Sequence, residues 1–252
     1  MKKLLWAFVL LLSVLLIALY KADIPADKIK LKYADTASRF IEMMGMSVHY
    51  KDEGNPADPL PIVLIHGTSS SLHTWDSLVL RLKEKKRILR MDLPAFGLTG
   101  PNPERNYTID YYNRFIDSFL ARTMIDSCIL GGNSLGGGIA WHQALKDTIR
   151  IKQLVLIDAS GYPKKKEKGN IGFKMASMPG IGPLLSKFTP KWLIKKSLED
   201  VYADKTKISA PLIDRYYELL LREGNREATL DIFRQRRNPD PEKIRSIKIP
   251  TL

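Results

Sequence analysis

Four short apolar runs, at residues 61–65, 87–91, 127–130 and 154–157, alternate with stretches of helical character. This alternation narrows the fold more than any other feature of the chain. Strands buried on both faces read as apolar throughout, and parallel sheets are buried on both faces. A β-α-β-α order built from such runs predicts a mostly parallel sheet with helices on both sides. The intervening helices are expected at residues 75–83, 108–123 and 135–146. Thr108 can cap the second of these, with Asp110 in its first turn. Upstream, residues 40–44 and 47–52 around Gly45 predict a two-stranded hairpin.

The rhythm stops at Asp158. Residues 161–246 lack buried strand runs and are interrupted by Pro163, Pro179, Pro183, Pro190 and Pro211, which reads as an inserted helical cap. Residues 247–252 then look like the opening of a returning core strand, so the sheet is expected to be incomplete at its C-terminal side. The expected layout is an anchor (1–21), a connector (22–39), the core (40–160), the cap (161–246) and the start of the returning strand (247–252).

The anchor is read from an apolar run between Leu4 and Tyr20, broken only by Ser13, with Lys2 and Lys3 before it and Lys21 after it. As a helix it would extend about 26 Å, close to a hydrocarbon core of roughly 30 Å. It is longer than a usual signal-peptide core, and Tyr20 suits neither nearby cleavage register. An uncleaved single-pass signal anchor is therefore expected to contact membrane lipid through residues 4–20. Lys2 and Lys3 on the cytoplasmic side would put the remainder of the chain outside.

The net charge is +13, and residues 161–246 carry 19 Lys/Arg against 11 Asp/Glu. A solvated basic helical surface explains this most simply, with a face toward anionic lipid as the alternative. Nucleic acid is not expected as a partner, because no basic stripe is interleaved with aromatics. The single cysteine, Cys128, excludes a disulfide framework. Four histidines without clustered spacing make a metal site unexpected.

Gly132-Asn133-Ser134-Leu135-Gly136 fits G-x-S-x-G between an apolar strand and a helix. That setting forms a nucleophile elbow, with the serine on a strained turn and glycines where side chains would collide. Ser134 is the expected nucleophile. An oxyanion hole needs two converging backbone N–H donors. Leu135, beside the nucleophile, should supply one, and Thr68, in His66-Gly67-Thr68 after the first apolar strand, the other. His66 is read as structuring that loop, His142 and His49 as packing residues. His73 and Asn133 are candidates for lining the pocket. No histidine of the chain is placed to serve as the catalytic base.

Taken in order, these pieces resemble the α/β-hydrolase fold family from about residue 40 to residue 252. Residues 45–54 resemble its first hairpin. Ile65-His66-Gly67-Thr68 with Trp75 resembles its oxyanion loop and following helix. Residues 90–97 resemble its D-x-P-G-x-G loop, with Ala95 replacing the first glycine. Residues 131–137 form the elbow, and 154–158 resemble the strand leading into the cap. The resemblance implies a triad in the order serine, acid, histidine, with the last two usually following strands beyond residue 252. Some relatives place the acid where Asp158 stands, which makes Asp158 a weaker candidate. It implies acyl transfer on a small-molecule ester or acyl substrate, without a cofactor. Gly-Asn-Ser-Leu-Gly-Gly elbows also resemble those of carbon–carbon bond hydrolases acting on ring-cleavage products. A non-catalytic binding protein, or a truncated fragment, would keep the same fold. Residues 1–252 alone are expected to be nearly inactive for want of a base.

Overall fold

The structure, a computed structural model, describes residues 6, 10, 11, 14, 19–162, 178, 186–235 and 241–252. Six strands form one sheet: β1 (Ser38–Met43), β2 (Met46–Gly54), β3 (Ile62–Ile65), β4 (Arg87–Met91), β5 (Cys128–Asn133) and β6 (Ile151–Ile157). Their spatial order is β1-β2-β4-β3-β5-β6. The hairpin β1–β2 lies antiparallel against β4, while β4, β3, β5 and β6 run parallel. Met44 and Gly45, at φ 51° and 72°, make the hairpin turn, and two successive positive φ values match the twist of paired strands.

Period-two alternation within the parallel strands sorts their side chains to two faces. Val63, Ile65, Leu89 and Met91 join the main core with Tyr111, Phe115, Phe119 and Trp141. Those aromatics come from α3 (Ile109–Arg122) and α4 (Leu135–Lys146). Leu64 and Ile88 face the other way, onto Trp75 and Val79. Val79 belongs to α2 (Asp76–Leu82), which a 3-10 turn at Leu72–Trp75 precedes. Thr108 caps α3 by accepting from the Tyr111 N–H at 3.3 Å. The sheet is thus covered on both faces, as the apolar runs require.

Two strand boundaries differ from the expectation. β5 runs on through Gly132 and Asn133, so the strand reaches the elbow itself. β6 begins at Ile151; the exposed Lys152, which the register skips, and the exposed Gln153, paired with Ile129, interrupt its apolar run. Residues 250–252 lie parallel along β6: the Leu154 N–H donates to the Pro250 carbonyl at 2.9 Å and the Leu156 N–H to that of Leu252 at 2.8 Å.

Before the sheet, α1 (Ala26–Tyr33) packs Ile29 against Leu98 and Leu219, so the connector region is docked on the body of the protein. Downstream of β6, the described residues form α5 (Lys191–Val201), α6 (Ala210–Leu221) and α7 (Asn225–Arg234). Of the expected cap, residues 163–177, 179–185 and 236–240 lie outside the described residues. So does most of the apolar run at 4–20, where residues 6, 10, 11, 14 and 19 are helical and exposed. Among the described residues no helix is long and apolar enough to cross a membrane.

Candidate active site

The chain steps from β3 outward to β4, then returns to lay β5 on the other side of β3. In open parallel sheets, ligands bind beyond the carboxyl ends of the strands where the order reverses in this way. The pairing Ile65↔Gly132 brings the end of β3 level with the end of β5 at that point. Gly67 and Thr68 follow one strand, and Ser134 follows the other.

Ser134 has φ 50° and ψ −111°. For a residue with a Cβ this backbone carries strain on the order of 1–3 kcal/mol, which persists only where surroundings over-determine it. Here they do. The Ser134 N–H donates to the Ile157 carbonyl at 2.9 Å, and its carbonyl accepts from Gly138 at 3.0 Å and Ser160 at 2.9 Å. The Asn133 side-chain amide donates to the same Ile157 carbonyl at 3.2 Å. Close packing leaves no room for side chains on the flanking glycines. A Cβ on Gly132 would stand 2.2 Å from the Gly136 carbonyl oxygen, and one on Gly136 2.2 Å from that of Ile65. The oxyanion loop is equally near: a Cβ on Gly67 would lie 3.3 Å from the Ser134 Cβ.

Ser134 opens into a cavity of about 790 Å³. Its core side presents Gly67, Thr68, Asn133 and Asp158; its far wall is Ile194, Leu198 and Val201 of α5 with Tyr216 and Leu220 of α6. Among the described residues, the backbone N–H groups of Thr68 and Leu135 have no hydrogen-bond partner, and neither does the Ser134 hydroxyl. Asn133 lines the cavity as expected. Asp158 lines it too, exposed at the end of β6 with φ 46°.

None of the four histidines lines the cavity. His66 is fully buried, its Nδ1 2.7 Å from the Gly67 carbonyl and its Nε2 3.0 Å from the Leu93 N–H. A carbonyl can only accept and an N–H only donate, so the ring is neutral with its proton on Nδ1. Burial holds its pKa below the usual value. Both nitrogens are occupied in shaping the oxyanion loop. His142 Nδ1 bonds the Gly138 carbonyl at 2.7 Å within α4.

His73 departs from the expectation that it lines the pocket. Its ring lies 6.4 Å from that of Tyr33 and 6.3 Å from that of His49, with Nδ1 3.2 Å from the Ser71 hydroxyl. Burial there lowers its pKa to about 4. His49 is fully buried, with Nδ1 2.7 Å from Asp92 and Nε2 2.9 Å from the Ser38 hydroxyl. Burial alone would raise the Asp92 carboxyl. The contact with His49 and the nearby His66 and His73 rings overcome this and hold it well below the carboxylate range. Asp92 also accepts from the N–H groups of Leu72 at 2.7 Å and Leu98 at 2.8 Å. Cys128, buried in β5, has its thiol pushed up to about 12 by burial and offers no competing nucleophile.

Sequence reasoning missed Ser70, Thr74 and Tyr216, whose hydroxyls meet on one wall of the cavity. Tyr216 Oη lies 3.1 Å from Ser70 Oγ and 3.3 Å from Thr74 Oγ1. The contact joins α6 to the oxyanion loop across more than 140 residues, and no local pattern announces it.

A family model described as alpha/beta hydrolase fold matches residues 61–180. The uncharacterized hydrolase YugF of Bacillus subtilis is 27% identical over 214 residues, covering 82% of this chain and 76% of that protein. A 2-hydroxymuconate semialdehyde hydrolase of Pseudomonas sp. is 26% identical over 177 residues, covering 69% of this chain and 58% of that protein. The crystal structure of a membrane phospholipase A superposes with a TM-score of 0.71 at 23% identity, covering 100% of this chain and 81% of that one.

Proposed function

Because the chain belongs to the α/β-hydrolase fold family, we propose that it is a membrane-tethered serine hydrolase that cleaves carboxylic esters by acyl transfer through Ser134. One observation carries the reading: a serine held at φ 50° between β5 and α4, lining a cavity together with Gly67 and Thr68. Ser134 Oγ attacks the substrate carbonyl as an imidazole takes its proton. The Thr68 and Leu135 N–H groups hold the oxyanion, the alcohol leaves, and water releases the acyl group. No cofactor is required by these steps.

None of the four imidazoles lines the cavity, so the base of this reaction is unassigned. The acid partner of that base is likewise unassigned, with Asp158 the one carboxylate at the rim beside Ser134. The apolar run at 4–20 serves as an uncleaved anchor, and Lys2 and Lys3 place the hydrolase domain on the extracytoplasmic side. The superposition on a membrane phospholipase A over the whole chain supports a tethered lipid or acyl ester hydrolase.

A carbon–carbon bond hydrolase is the second reading, favoured by the Gly-Asn-Ser-Leu-Gly-Gly elbow and the similarity to the semialdehyde hydrolase. A non-catalytic binding protein is the third, favoured by the absence of any imidazole at the cavity among the described residues.

A fluorophosphonate probe on the full gene product separates these readings. Labelling that disappears in Ser134→Ala supports both hydrolases, and nitrophenyl esters against a ring-fission dienoate then decide between them. No labelling at all leaves the binding protein. Residues 1–252 alone should turn esters over on the order of 10⁶-fold more slowly than an enzyme with its base in place. Brisk hydrolysis by that length of chain would show that the base lies within it.

A further inference from the structure

We infer that α5 is a membrane-surface helix whose outward face, Trp192, Leu193, Lys195 and Lys196, lies in the headgroup layer of an anionic bilayer, while its other face walls the cavity of Ser134. The inference rests on the tether reading above and adds where the bilayer meets the folded domain.

The residues that follow the apolar run are fastened to the cap. The Lys21 N–H donates to the Lys187 carbonyl at 2.8 Å, and the Tyr20 ring meets the Phe188 ring edge-on at 6.3 Å. Arg226, buried in α7, donates to the carbonyls of Lys21 and Ser186 at 2.7 Å each and to the Asp23 carboxylate. Lys187 grips the same carboxylate at 2.7 Å. Ile24 and Leu221–Glu223 exchange two backbone hydrogen bonds, Ile24 N–H to Leu221 at 2.8 Å and Glu223 N–H to Ile24 at 2.9 Å. The apolar run therefore leaves the domain from the cap, without slack.

Tyr20 marks the interfacial end of that run, where aromatic rings sit at headgroup level. Phe188, in contact with it, is four residues before Trp192, a separation of at most about 14 Å. The first turn of α5 is thereby held at the depth of the headgroups.

Its composition suits that place. Trp192 is 65% exposed and Leu193 46%, large apolar side chains at the surface of the domain. Lys195 and Lys196 flank them, exposed, on the same side of the helix. Ile194, Ser197, Leu198 and Val201 line the cavity on the opposite side. Basic residues beside Trp and Leu on one surface of a short helix bind the interface of anionic membranes. Glu199 and Asp200 stand one turn on, 3.7 and 3.8 Å from Lys195 and Lys196, in exposed pairs of the weak kind with which anionic headgroups can compete. A substrate acyl chain drawn from the bilayer would then meet the cavity of Ser134 on the other side of this helix.

Bimane reporters at three positions test this in the full chain, reconstituted in phosphatidylcholine–phosphatidylglycerol vesicles that contain lipid bearing a headgroup-proximal nitroxide. Cys128 is buried, so labelling is confined to the introduced thiols of Leu193→Cys, Val14→Cys and Ile149→Cys. Ile149, 78% exposed, precedes β6 at the end of the sheet away from Ser134 and is the aqueous reference. The expected result is quenching at positions 14 and 193 several-fold above position 149, with position 193 shielded from aqueous iodide. Adding Lys195→Glu and Lys196→Glu should weaken quenching at 193 in anionic vesicles and not in purely zwitterionic ones. Quenching at 14 with position 193 as open to iodide as 149 overturns the inference and leaves the tether standing. Shielding from iodide without lipid quenching, as a second copy of the chain would give, also overturns it. Quenching at neither 14 nor 193 overturns both.

Discussion

Ser134 and Ser38 divide between them the features that make a serine reactive. Ser38 has the relay: its hydroxyl is 2.9 Å from His49 Nε2, and His49 Nδ1 is 2.7 Å from Asp92. Yet it sits in the ordinary extended strand β1, lines neither described cavity, and also accepts from the Asp35 N–H at 3.1 Å. The Phe40 ring stacks over the imidazole at 5.0 Å. Ser134 has the complement: a strained elbow and a cavity beside the Thr68 and Leu135 N–H groups, with no imidazole lining that cavity among the described residues. A hydrogen-bonded Ser–His–Asp chain with nowhere to hold a carbonyl is a packing device. In this protein it ties β1 and β2 to the loops that carry Leu72 and Leu98. Reactivity depends on a place for the oxyanion as well as on a base.

The sharpest way to break this contrast is at Asp92. If its cluster is structural, Asp92→Asn should cost about 3 kcal/mol, since it weakens the buried hydrogen bond to His49 and two backbone hydrogen bonds to a carboxylate. Urea denaturation measures the cost, and fluorophosphonate labelling of the molecules that remain folded should match wild type. A neutral Asp92→Asn, or lost labelling in its folded fraction, would tie the two serines together.

Acid should act through the same cluster, with a smaller effect. His73 titrates near the ordinary 6.5 when unfolded and at about 4 when folded. The unfolded chain therefore binds the extra proton between those values, so the contribution is complete above about 6.5 and is lost as pH falls toward 4. Buried His66 shifts in the same direction. Asp92, held low, adds stability that disappears only below the usual carboxylate range. Thermal melts from pH 8 to pH 4 should show a midpoint that falls with acidification, and a flat profile would remove the cluster from the stability of the fold.

The smallest effect contrasts the two backbones. Ser134→Gly should raise stability by roughly 1 kcal/mol while eliminating labelling, because glycine relieves the positive φ. Ser38→Gly, in a regular strand, should lower stability by a similar amount and spare labelling. Destabilisation by Ser134→Gly would mean that the elbow carries no strain.

The alternation of strands and helices and the elbow were legible because their causes are local. Apolar runs mark strands buried on both faces, and Gly132 and Gly136 are required wherever a strand turns into a helix within two residues. β5 was read short at its C-terminal end because Gly131, Gly132 and Asn133 carry no strand signal of their own. They are held in the ladder by β6. His66 was correctly read as a loop residue from its position after β3. The direction of the His73 ring was not readable, since it depends on Tyr33, His49 and Asp92, between 19 and 40 residues away.

By itself, the sequence determined the alternating layers and the residue at the elbow, since periodicity and the steric demand for glycine act over a few neighbours. Only the tertiary structure decided that every imidazole turns from Ser134, that α5 and α6 close the far wall of its cavity, and that the segment after the apolar run is pinned to Arg226. Each of those outcomes is a distance between groups tens to hundreds of residues apart, which packing alone fixes.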